Sequence, residues 1–492
     1  MALGGCAAND EQCLLLENKR LRCDFRHWHL AGMPNCAANV GLRRESGPRL
    51  SLGPMSQGQF RRMAYYGRWR RPTRSHFRST GPTSTMRPSG PQAYSHFGGI
   101  CTIAMADQRI QFAHMLRGLA AAAVVISHLA SLIWRTPDAV GALIAYPASS
   151  VIIRAAHFTP LTDFGLPYFW GYFGVALFFL ISGFVIPLSV SNLSRSGFMV
   201  ARIFRIWPTY LIGLAIAIVC IALNAKLSGR AFPYRTQDIL VNALIAPRWP
   251  TSTPSIDGII WTLEIEIFFY FICMILAGLI RKFDRRIFVL AMPIVPLAFS
   301  VTYGAGLLLR MGALAFGIAS WIATVAVYIT FMLCGVAFYY FHRGHLSQRG
   351  LIVTQAFLLM TFVTGMRIGV LSIQGWTAIA CYLIAFGIFA IAYVTRDVIS
   401  TLPRGGARPI LLLADISYPL YAVHAVFGYT LVVHAIEIGM PAWVGVCLAG
   451  AIVLGCAAVV HFAVEMPSQR FGKVLATEML PTTSTSSSVA QT

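Results

Sequence analysis

Charged residues are scarce in this chain. Asp, Glu, Lys and Arg together make up 12% of its 492 residues, whereas soluble domains carry about 25%. Hydrophobic residues account for 57% of the sequence, and its mean hydropathy is +0.65. These proportions exclude an ordinary soluble domain. They predict an integral membrane protein, in which each span needs about 20 apolar residues to cross roughly 30 Å of hydrocarbon.

Acidic residues are scarcer than basic residues, with 18 against 39, and the formal net charge is +21. Residues 1–104 hold 15 Arg or Lys, and the remaining 24 lie mostly in short loops between apolar runs. Positive charge in such loops is typical of membrane topology. A nucleic-acid-binding protein would instead gather it on one face, so we expect no nucleic-acid partner.

Closely spaced cysteine pairs are also absent from the sequence. Five of the eleven cysteines lie in the first 104 residues, and the other six are scattered singly through apolar segments. This pattern matches neither a zinc site nor a disulfide framework. Buried free cysteines behave as small hydrophobes, and we therefore expect no metal.

Residues 1–104 lack the apolar run of about 7–15 residues that a secretory signal requires, and they show no sustained periodicity. They are rich in Arg, Ser, Gly and Pro. An organellar transit peptide is an alternative, but five acidic residues argue against it. We interpret 1–104 as a disordered extension or an over-long reading frame, with Met105 as a natural start before the first span. A polar tail over 474–492 is also predicted to be disordered.

Ten apolar runs predict ten transmembrane helices and hence an all-α polytopic membrane fold. They lie near 113–133, 172–190, 207–223, 259–280, 287–308, 321–341, 351–370, 376–394, 410–435 and 442–464. If the N-terminus is cytoplasmic, the inside loops together with Arg109 and Arg117 carry 16 of the 24 basic residues beyond residue 104. The positive-inside rule therefore predicts that both termini are cytoplasmic.

The first span, "LRGLAAAAVVISHLASLIW", contains two groups that are costly in a bilayer. Arg117 and His128 are eleven residues apart, about three helical turns, so they share a face and lie roughly 16 Å apart along the axis. Taken alone, Arg117 could be a topogenic arginine that snorkels to the interface. An ionisable group near mid-span usually faces a cavity or a partner. Neutral imidazole is suited to act as a general base, which makes His128 a candidate catalytic residue.

Two further motifs place charges near the ends of spans. In "ARIFRIWP", Arg202 and Arg205 lie at i and i+3 on one helix face. Guanidinium groups in that position can bind phosphates, and a purely topogenic role is the alternative. In "WTLEIEIFFY", Glu264 and Glu266 lie about 200° apart on a helix, so they cannot both face one cavity.

A polar stripe lies on an otherwise apolar helix in "ISYPLYAVHAVF", where Ser417, Tyr421 and His424 occupy positions i, i+4 and i+7. Such a stripe either faces a functional cavity or only hydrogen-bonds neighbouring helices.

Six motifs, in this order, resemble those of the acyltransferase-3 family of membrane-bound acyltransferases. They are "LRGLAAAAVVISH", "FGVALFFLISGFVI", "RIFRIWPTYL", "WTLEIEIFFY", "ISYPLYAVH" and "HFAVEMPSQRF", and they extend over about 109–473. Each motif alone is weak, whereas six in the right order are a strong signal. Residues 105–473 are therefore predicted to form an acyltransferase-3 membrane domain.

The resemblance implies acyl transfer from a cytoplasmic donor, usually acetyl-CoA, to a hydroxyl group on a carbohydrate or similar acceptor. We expect the protein to lie in a bacterial inner membrane. The essential His and Arg of the family fall on His128 and Arg117, and its Arg-x-x-Arg pair falls on Arg202 and Arg205.

The Trp-Ser-Leu-x-x-Glu motif of the family falls on Trp261, Leu263 and Glu266. Thr262 stands where Ser is usual, a replacement that keeps the hydroxyl group. Ile267 and the following Phe stand where the family often shows Glu-Gln, so any role of that second acid is absent here.

These assignments suggest a mechanism. Arg202 and Arg205 would hold the phosphates of acyl-CoA, and Arg117 would either join them or orient the thioester. His128 would deprotonate the acceptor hydroxyl or accept the acyl group itself, and the sequence leaves both routes open. Glu266 is the next candidate base. The candidate supporting residues are Ser182, Trp261, Ser417, Tyr421 and His424, among which Ser182 and Tyr421 are the candidate oxyanion donors.

Buried His, Arg and Glu in about ten spans would also suit a transporter or a flippase of lipid-linked sugars. Inverted repeats with Gly- or Pro-broken spans at matching positions would favour that class, and none stands out. A non-catalytic assembly partner is a third interpretation, with no motif behind it. The sequence thus predicts a membrane acyltransferase and leaves its acceptor and its acyl group open.

Overall fold

Helices form almost the whole of the described structure, and no strand occurs within the residues that it covers. The computed structural model describes residues 111–154, 166, 168–248, 252–401 and 404–479. The extension predicted over 1–104 therefore lies outside the described residues, as does the predicted tail beyond residue 479. The last helix continues to Glu478. The predicted all-α class is confirmed.

The helices are α1 Gln111–Arg135, α2 Pro137–Leu143, α3 Ala148–Arg154, α4 Phe169–Asn192, α5 Arg195–Leu227, α6 Thr236–Ala243, α7 Ile260–Ile275, α8 Ala277–Arg281, α9 Arg285–Tyr303, α10 Ala305–Arg310, α11 Ala313–His342, α12 Gln348–Ile368, α13 Gly375–Val394, α14 Arg396–Thr401, α15 Arg404–Asp415, α16 Ser417–Val423, α17 Val426–Glu437 and α18 Ala442–Glu478. A 3-10 turn over Val370–Gln374 precedes α13, and α18 contains a π turn over His461–Glu465.

Within the described ranges, eight helices are long and apolar enough to cross a membrane, or nine if the bent pair α16–α17 is one span. The polytopic membrane fold is therefore confirmed, with eight or nine spans where about ten were expected. The run 410–435 contains the bent pair, and the run 259–280 is the other one that does not form a full span. It forms α7, of 16 residues, and the short α8. At about 1.5 Å per residue α7 is roughly 24 Å long, which is less than the ~30 Å hydrocarbon layer.

The centre of the bundle is α4, around which α1, α11 and α13 pack. Its close approach to α11 depends on facing glycines. A Cβ added at Gly183 would overlap the carbonyl oxygen of Met332, and one at Gly335 would overlap α4 in turn. Gly174 serves the contact with α1, because its Cβ would lie 2.8 Å from the carbonyl oxygen of Ala120. Small residues let helix backbones touch, and here they hold α4 between two neighbours.

Besides the π turn of α18 at His461, two further irregularities carry a histidine. α1 widens into a π turn over Ser127–Leu132, which contains His128, and π turns often mark functional sites. The second irregularity is the 59° bend between α16 and α17. His424 lies at this bend, and its ring donates from Nδ1 to the carbonyl oxygen of Tyr421 at 2.8 Å.

The segment between α5 and α7 folds back into the protein. Asn242 is fully buried there, and its side-chain oxygen accepts a hydrogen bond from the N–H of Ile256 at 3.2 Å. Asp257 accepts from the N–H groups of Ile259 and Ile260 at 3.0 and 3.1 Å. A carboxylate in this position satisfies N–H groups that the first turn of a helix leaves free. It therefore allows α7 to begin inside the bundle.

From that interior point α7 and α8 lead to the end of the bundle where α4 ends and α5 begins. There Arg281 donates to the carbonyl oxygens of Val190 and Leu193 at 3.1 and 2.6 Å. We call this the basic end, because Arg195, Arg281 and Lys282 lie at it. The opposite end, where α4 begins, is called the far end.

Candidate active site

A cavity lies between α1, α4, α5, α7 and α16, toward the basic end. We call it the basic cavity. It brings together seven of the ten side chains that the sequence singled out, from five separate helices. These seven are Arg117, Ser182, Arg202, Arg205, Glu266, Ser417 and Tyr421.

The three arginines of the basic cavity do not pair with carboxylates. Within the described part of the chain, no carboxylate oxygen lies within 4.0 Å of a guanidinium nitrogen of Arg117, Arg202 or Arg205. Arg202 donates to Ser189 and lies over the ring of Tyr270 at 5.3 Å. Guanidinium groups without a carboxylate partner keep donors for an anion from outside the protein.

Glu266 lies in the same cavity and is held by neutral partners. Its Oε1 accepts hydrogen bonds from Ser182 at 3.0 Å and from Tyr270 at 2.7 Å. A second carboxylate, that of Glu465, acts on Arg117 electrostatically. The side chain of Glu465 forms hydrogen bonds with Nδ1 of His461 at 2.7 Å and with the side-chain amide of Gln469. The three guanidinium groups thus outnumber the carboxylates near them.

His128 lies in a different cavity, which extends toward the far end. We call it the histidine cavity. Besides His128 it is lined by aromatic rings, namely those of Tyr168, Tyr172, Trp261 and Tyr421. Arg117 and His128 therefore line neighbouring cavities. α1 is a regular helix from Arg117 to Ile126, and the π turn begins at Ser127, one residue before His128.

One nitrogen of His128 is fixed by the protein. Nδ1 lies 2.5 Å from the hydroxyl oxygen of Tyr429, and the two rings stack with centroids 5.7 Å apart. Among the described residues Nε2 has no hydrogen-bond partner. The second histidine, His424, is fully buried, and its ring centroid lies 4.5 Å from that of His128 with the rings nearly perpendicular.

The predicted stripe of Ser417, Tyr421 and His424 is divided by the bend after α16. Ser417 and Tyr421 line the basic cavity, whereas His424 packs against His128. The Nε2 atom of His424 is buried without a partner in the described part of the protein. The stripe therefore serves both cavities.

A thin wall separates the two cavities. Val175 of α4 and Tyr421 of α16 line both of them. The hydroxyl group of Tyr421 lies 2.6 Å from Oγ1 of Thr262 and donates to the carbonyl oxygen of Ile259 at 3.2 Å. The ring of Phe178 meets that of Tyr421 edge-on at 6.0 Å. The start of α7 thus anchors the aromatic half of the wall.

Glu264 points away from the basic cavity, as the helical period requires. Its Oε1 lies 2.6 Å from Nε of Arg248, and both side chains are buried. The residues lie 16 positions apart across the folded-back segment, so no short motif indicates the pair. Tyr429 was also missed by the sequence analysis. It follows the bend, where the helical spacing from Tyr421 no longer applies.

No metal centre is formed by the residues that the structure describes, because none of them make a group of three or more His, Cys, Asp or Glu side chains able to hold an ion.

The chain is similar to known proteins over most of this region. A family model described as "Acyltransferase domain" (Acyl_transf_3) matches residues 110–461, a range that includes the side chains of both cavities. Nodulation protein 10 of Rhizobium leguminosarum bv. viciae is 27% identical over 296 residues, which cover 55% of this chain and 74% of that protein. No solved structure matches. Since the family model covers more than half of the sequence and the helices are those of a polytopic membrane protein, the chain belongs to the acyltransferase-3 family of membrane acyltransferases.

Proposed function

We propose that the protein transfers an acetyl group from cytoplasmic acetyl-CoA to a hydroxyl group of a cell-surface or secreted carbohydrate. The observation that carries this proposal is the pair of adjoining cavities. Within the described ranges, one contains three arginines without carboxylate partners, and the other contains His128 with its Nε2 unbonded. The first suits a polyanionic donor, and the second suits proton transfer at a hydroxyl group.

The orientation of the protein supports a cytoplasmic donor. The loops at the basic end carry most of the Arg and Lys residues outside the first 104 positions, and such loops face the cytoplasm in bacterial inner membranes. The basic cavity then opens toward the compartment that contains coenzyme A. Both described ends of the chain, Gln111 and Glu478, lie on that side.

The donor is held by charge. Arg202 and Arg205 bind the phosphates of coenzyme A, and Arg117 orients the thioester or joins them. Glu266, held by Ser182 and Tyr270, stabilises the arginines in place. The hydroxyl of Ser182 donates to Glu266 and that of Tyr421 to the carbonyl oxygen of Ile259, so either group has to exchange its partner before it can donate to the oxyanion.

His128 does the proton transfer. When Nδ1–H donates to the Tyr429 oxygen, Nε2 carries a lone pair and can accept a proton. The acceptor oxygen then attacks the thioester carbonyl as its proton passes to Nε2, the C–S bond breaks, and the imidazolium gives the proton to the departing thiolate. The alternative, attack by Nε2 itself, forms an acyl-imidazole that the acceptor hydroxyl then cleaves. His424 supports the His128 ring in both routes.

The acceptor enters from the far end. Tyr168, Tyr172 and Trp261 line the histidine cavity, and such rings can pack against the apolar faces of a sugar while one hydroxyl points to His128. The family resemblance implies acetylation of polysaccharides or similar acceptors, which supports a carbohydrate acceptor.

The test is transfer by purified protein in lipid nanodiscs, with radiolabelled acetyl-CoA and envelope polysaccharide. We expect labelled ester and free coenzyme A from the wild type. His128→Gln keeps the size and some hydrogen bonding but cannot take up a proton, so kcat should fall by roughly 10² to 10⁴. Size-exclusion chromatography of the variant checks that it remains folded.

Two results would contradict the proposal. A wild-type rate in His128→Gln would place the base elsewhere, with Glu266 next in line. A wild type that leaves acetyl-CoA intact, yet moves a labelled sugar across vesicles, would favour a transporter. Mass spectrometry of envelope glycans from a deletion strain then identifies the acceptor, as the loss of one acetyl ester.

A further inference from the structure

We propose that Val175 and Tyr421 determine which acyl groups this enzyme transfers. They are the two side chains that line both the basic cavity and the histidine cavity. This inference rests on the proposed function, because it takes the basic cavity as the site of an acyl-CoA. It identifies the residues that limit the length of the acyl chain, whereas the charged residues of the same site only hold the donor.

The positions of the charges dictate where the acyl group must lie. Arg202 and Arg205 hold the phosphates toward the basic end, so the thioester arm extends away from them along the cavity. Its far limit is the wall, since His128 lies just behind it. The acyl group therefore comes to rest against Val175 and Tyr421, with Phe178 beside them.

Hydrogen bonds and close packing hold the wall in place, so it cannot move to make room for a longer acyl chain. The Tyr421 hydroxyl is held by Thr262 and by the carbonyl oxygen of Ile259. On the other side, Gly174 precedes Val175 and packs its α-carbon against α1, where a Cβ would lie 2.7 Å from Val124. α4 has no room to shift toward α1. Space for extra methylene groups must come from the Val175 side chain.

The chain offers a matched control. Val185 lines the same basic cavity and lies on the same helix as Val175. Ten residues separate them, about 15 Å along the axis toward the basic end, and Val185 does not line the histidine cavity. The same substitution at the two positions therefore changes the cavity by the same volume at opposite ends.

The experiment compares Val175→Ala with Val185→Ala, using acetyl-, propionyl- and butyryl-CoA in the nanodisc assay. The measured quantity is the ratio of kcat/KM for butyryl-CoA to that for acetyl-CoA. A pocket discriminates one methylene group by about 10-fold or more. We expect the ratio to rise by roughly 10-fold in Val175→Ala and to stay at the wild-type value in Val185→Ala. Val175→Ile adds a methylene group. It should lower the ratio of kcat/KM for propionyl-CoA to that for acetyl-CoA.

The possible failures are distinguishable. A wild type inert with all three thioesters would overturn the proposed function and this inference with it. An active wild type whose ratio changes equally in the two alanine variants, or in neither, would overturn the inference alone. If Val175→Ala does not fold, the Val175→Ile variant decides, since an unchanged propionyl ratio there contradicts the proposal.

Discussion

The imidazole of His128 has two nitrogens, and the bond made by one determines what the other can do. In this protein Nδ1 faces the hydroxyl of Tyr429 at 2.5 Å. Tyr429 is almost fully buried, so its ring cannot easily move away. A tyrosine oxygen that accepts from Nδ1–H keeps Nε2 ready for a proton and holds the ring plane toward the histidine cavity.

Tyr429→Phe removes that oxygen and keeps the ring. We expect kcat to fall about 10-fold, because a lost orienting hydrogen bond costs roughly 1–2 kcal/mol, while KM for acetyl-CoA changes little. Tyr339→Phe is the control: it also removes a buried hydroxyl, one that lies 3.2 Å from Ser191 Oγ outside both cavities. Equal rates for Tyr429→Phe and the wild type would contradict an orienting role.

Arg202→Ala and Arg205→Ala test how the donor is held. Each should raise KM for acetyl-CoA by roughly 10- to 100-fold, as expected for a lost charged hydrogen bond, and should leave KM for the acceptor nearly unchanged. Lys at either position should restore the charge without the planar fork, and so recover only part of the affinity. Arg286→Ala, an exposed arginine paired with Asp284, serves as the control. Full recovery with Lys would indicate a purely topogenic charge.

At this scale the sequence indicated seven polar residues that line the basic cavity, but not the tyrosine that contacts His128. The helical period placed Glu264 and Glu266 on opposite faces, and the structure has them bonded to different partners, Arg248 and Ser182. Tyr429 could not be found in the same way, because its contact with His128 depends on the bend. The roles of the site residues stay predictions.

At the scale of the helices, the geometry of the candidate site depends more on irregularities within helices than on where each helix begins and ends. The π turn of α1 and the bend after α16 contain no proline, the residue that most often marks a kink. The sequence therefore gave no sign of either irregularity. Likewise the run 259–280 is apolar enough to resemble a full span, although α7 starts inside the bundle. The folded-back segment that caps it is held by single polar residues such as Asn242 and Asp257, which no periodicity indicates.

The crossing of α4 and α11 gives a prediction about stability. Gly183→Ala would push a methyl group into the backbone of α11, and overpacking of this kind costs about 1–3 kcal/mol. We expect the melting temperature of the detergent-purified protein to fall by several degrees. Gly387→Ala is the matched control, because nothing lies within 4 Å of its added Cβ. Identical thermal shifts in the two variants would show that the helices are not in contact there.

For the whole molecule, charge and hydropathy predicted a polytopic α-helical protein, and the structure and the family match confirm that class. The two-cavity arrangement could not be predicted. It depends on bringing together Arg117, Val175 and Tyr421, which lie 58 and 246 residues apart along the chain, and spacing within single motifs carries no such information.

Residues 1–104 lie outside the described part of the chain, and their prediction concerns dispensability. They lack a pattern that could bury a core, so expression from Met105 should give a protein that inserts in the membrane and acetylates at the wild-type rate. Membrane fractionation and the nanodisc assay measure both properties. Loss of insertion or of turnover in the shorter protein would show that the extension is required.

The wall between the cavities has an electrical consequence. Two aqueous clefts that approach from opposite faces of a membrane would, if joined, conduct protons down the gradient on which the cell depends. Val175 and Tyr421 lie at the junction of the two cavities, and in the proposed reaction the acyl group is the cargo that crosses it. Each turnover by direct attack carries one acyl group outward and returns one proton to the departing thiol. The exchange moves no net charge and releases no free proton on either side, because the hydrogen of the acceptor hydroxyl ends on the thiol. Neither the membrane potential nor a difference in pH across the bilayer therefore drives or opposes it.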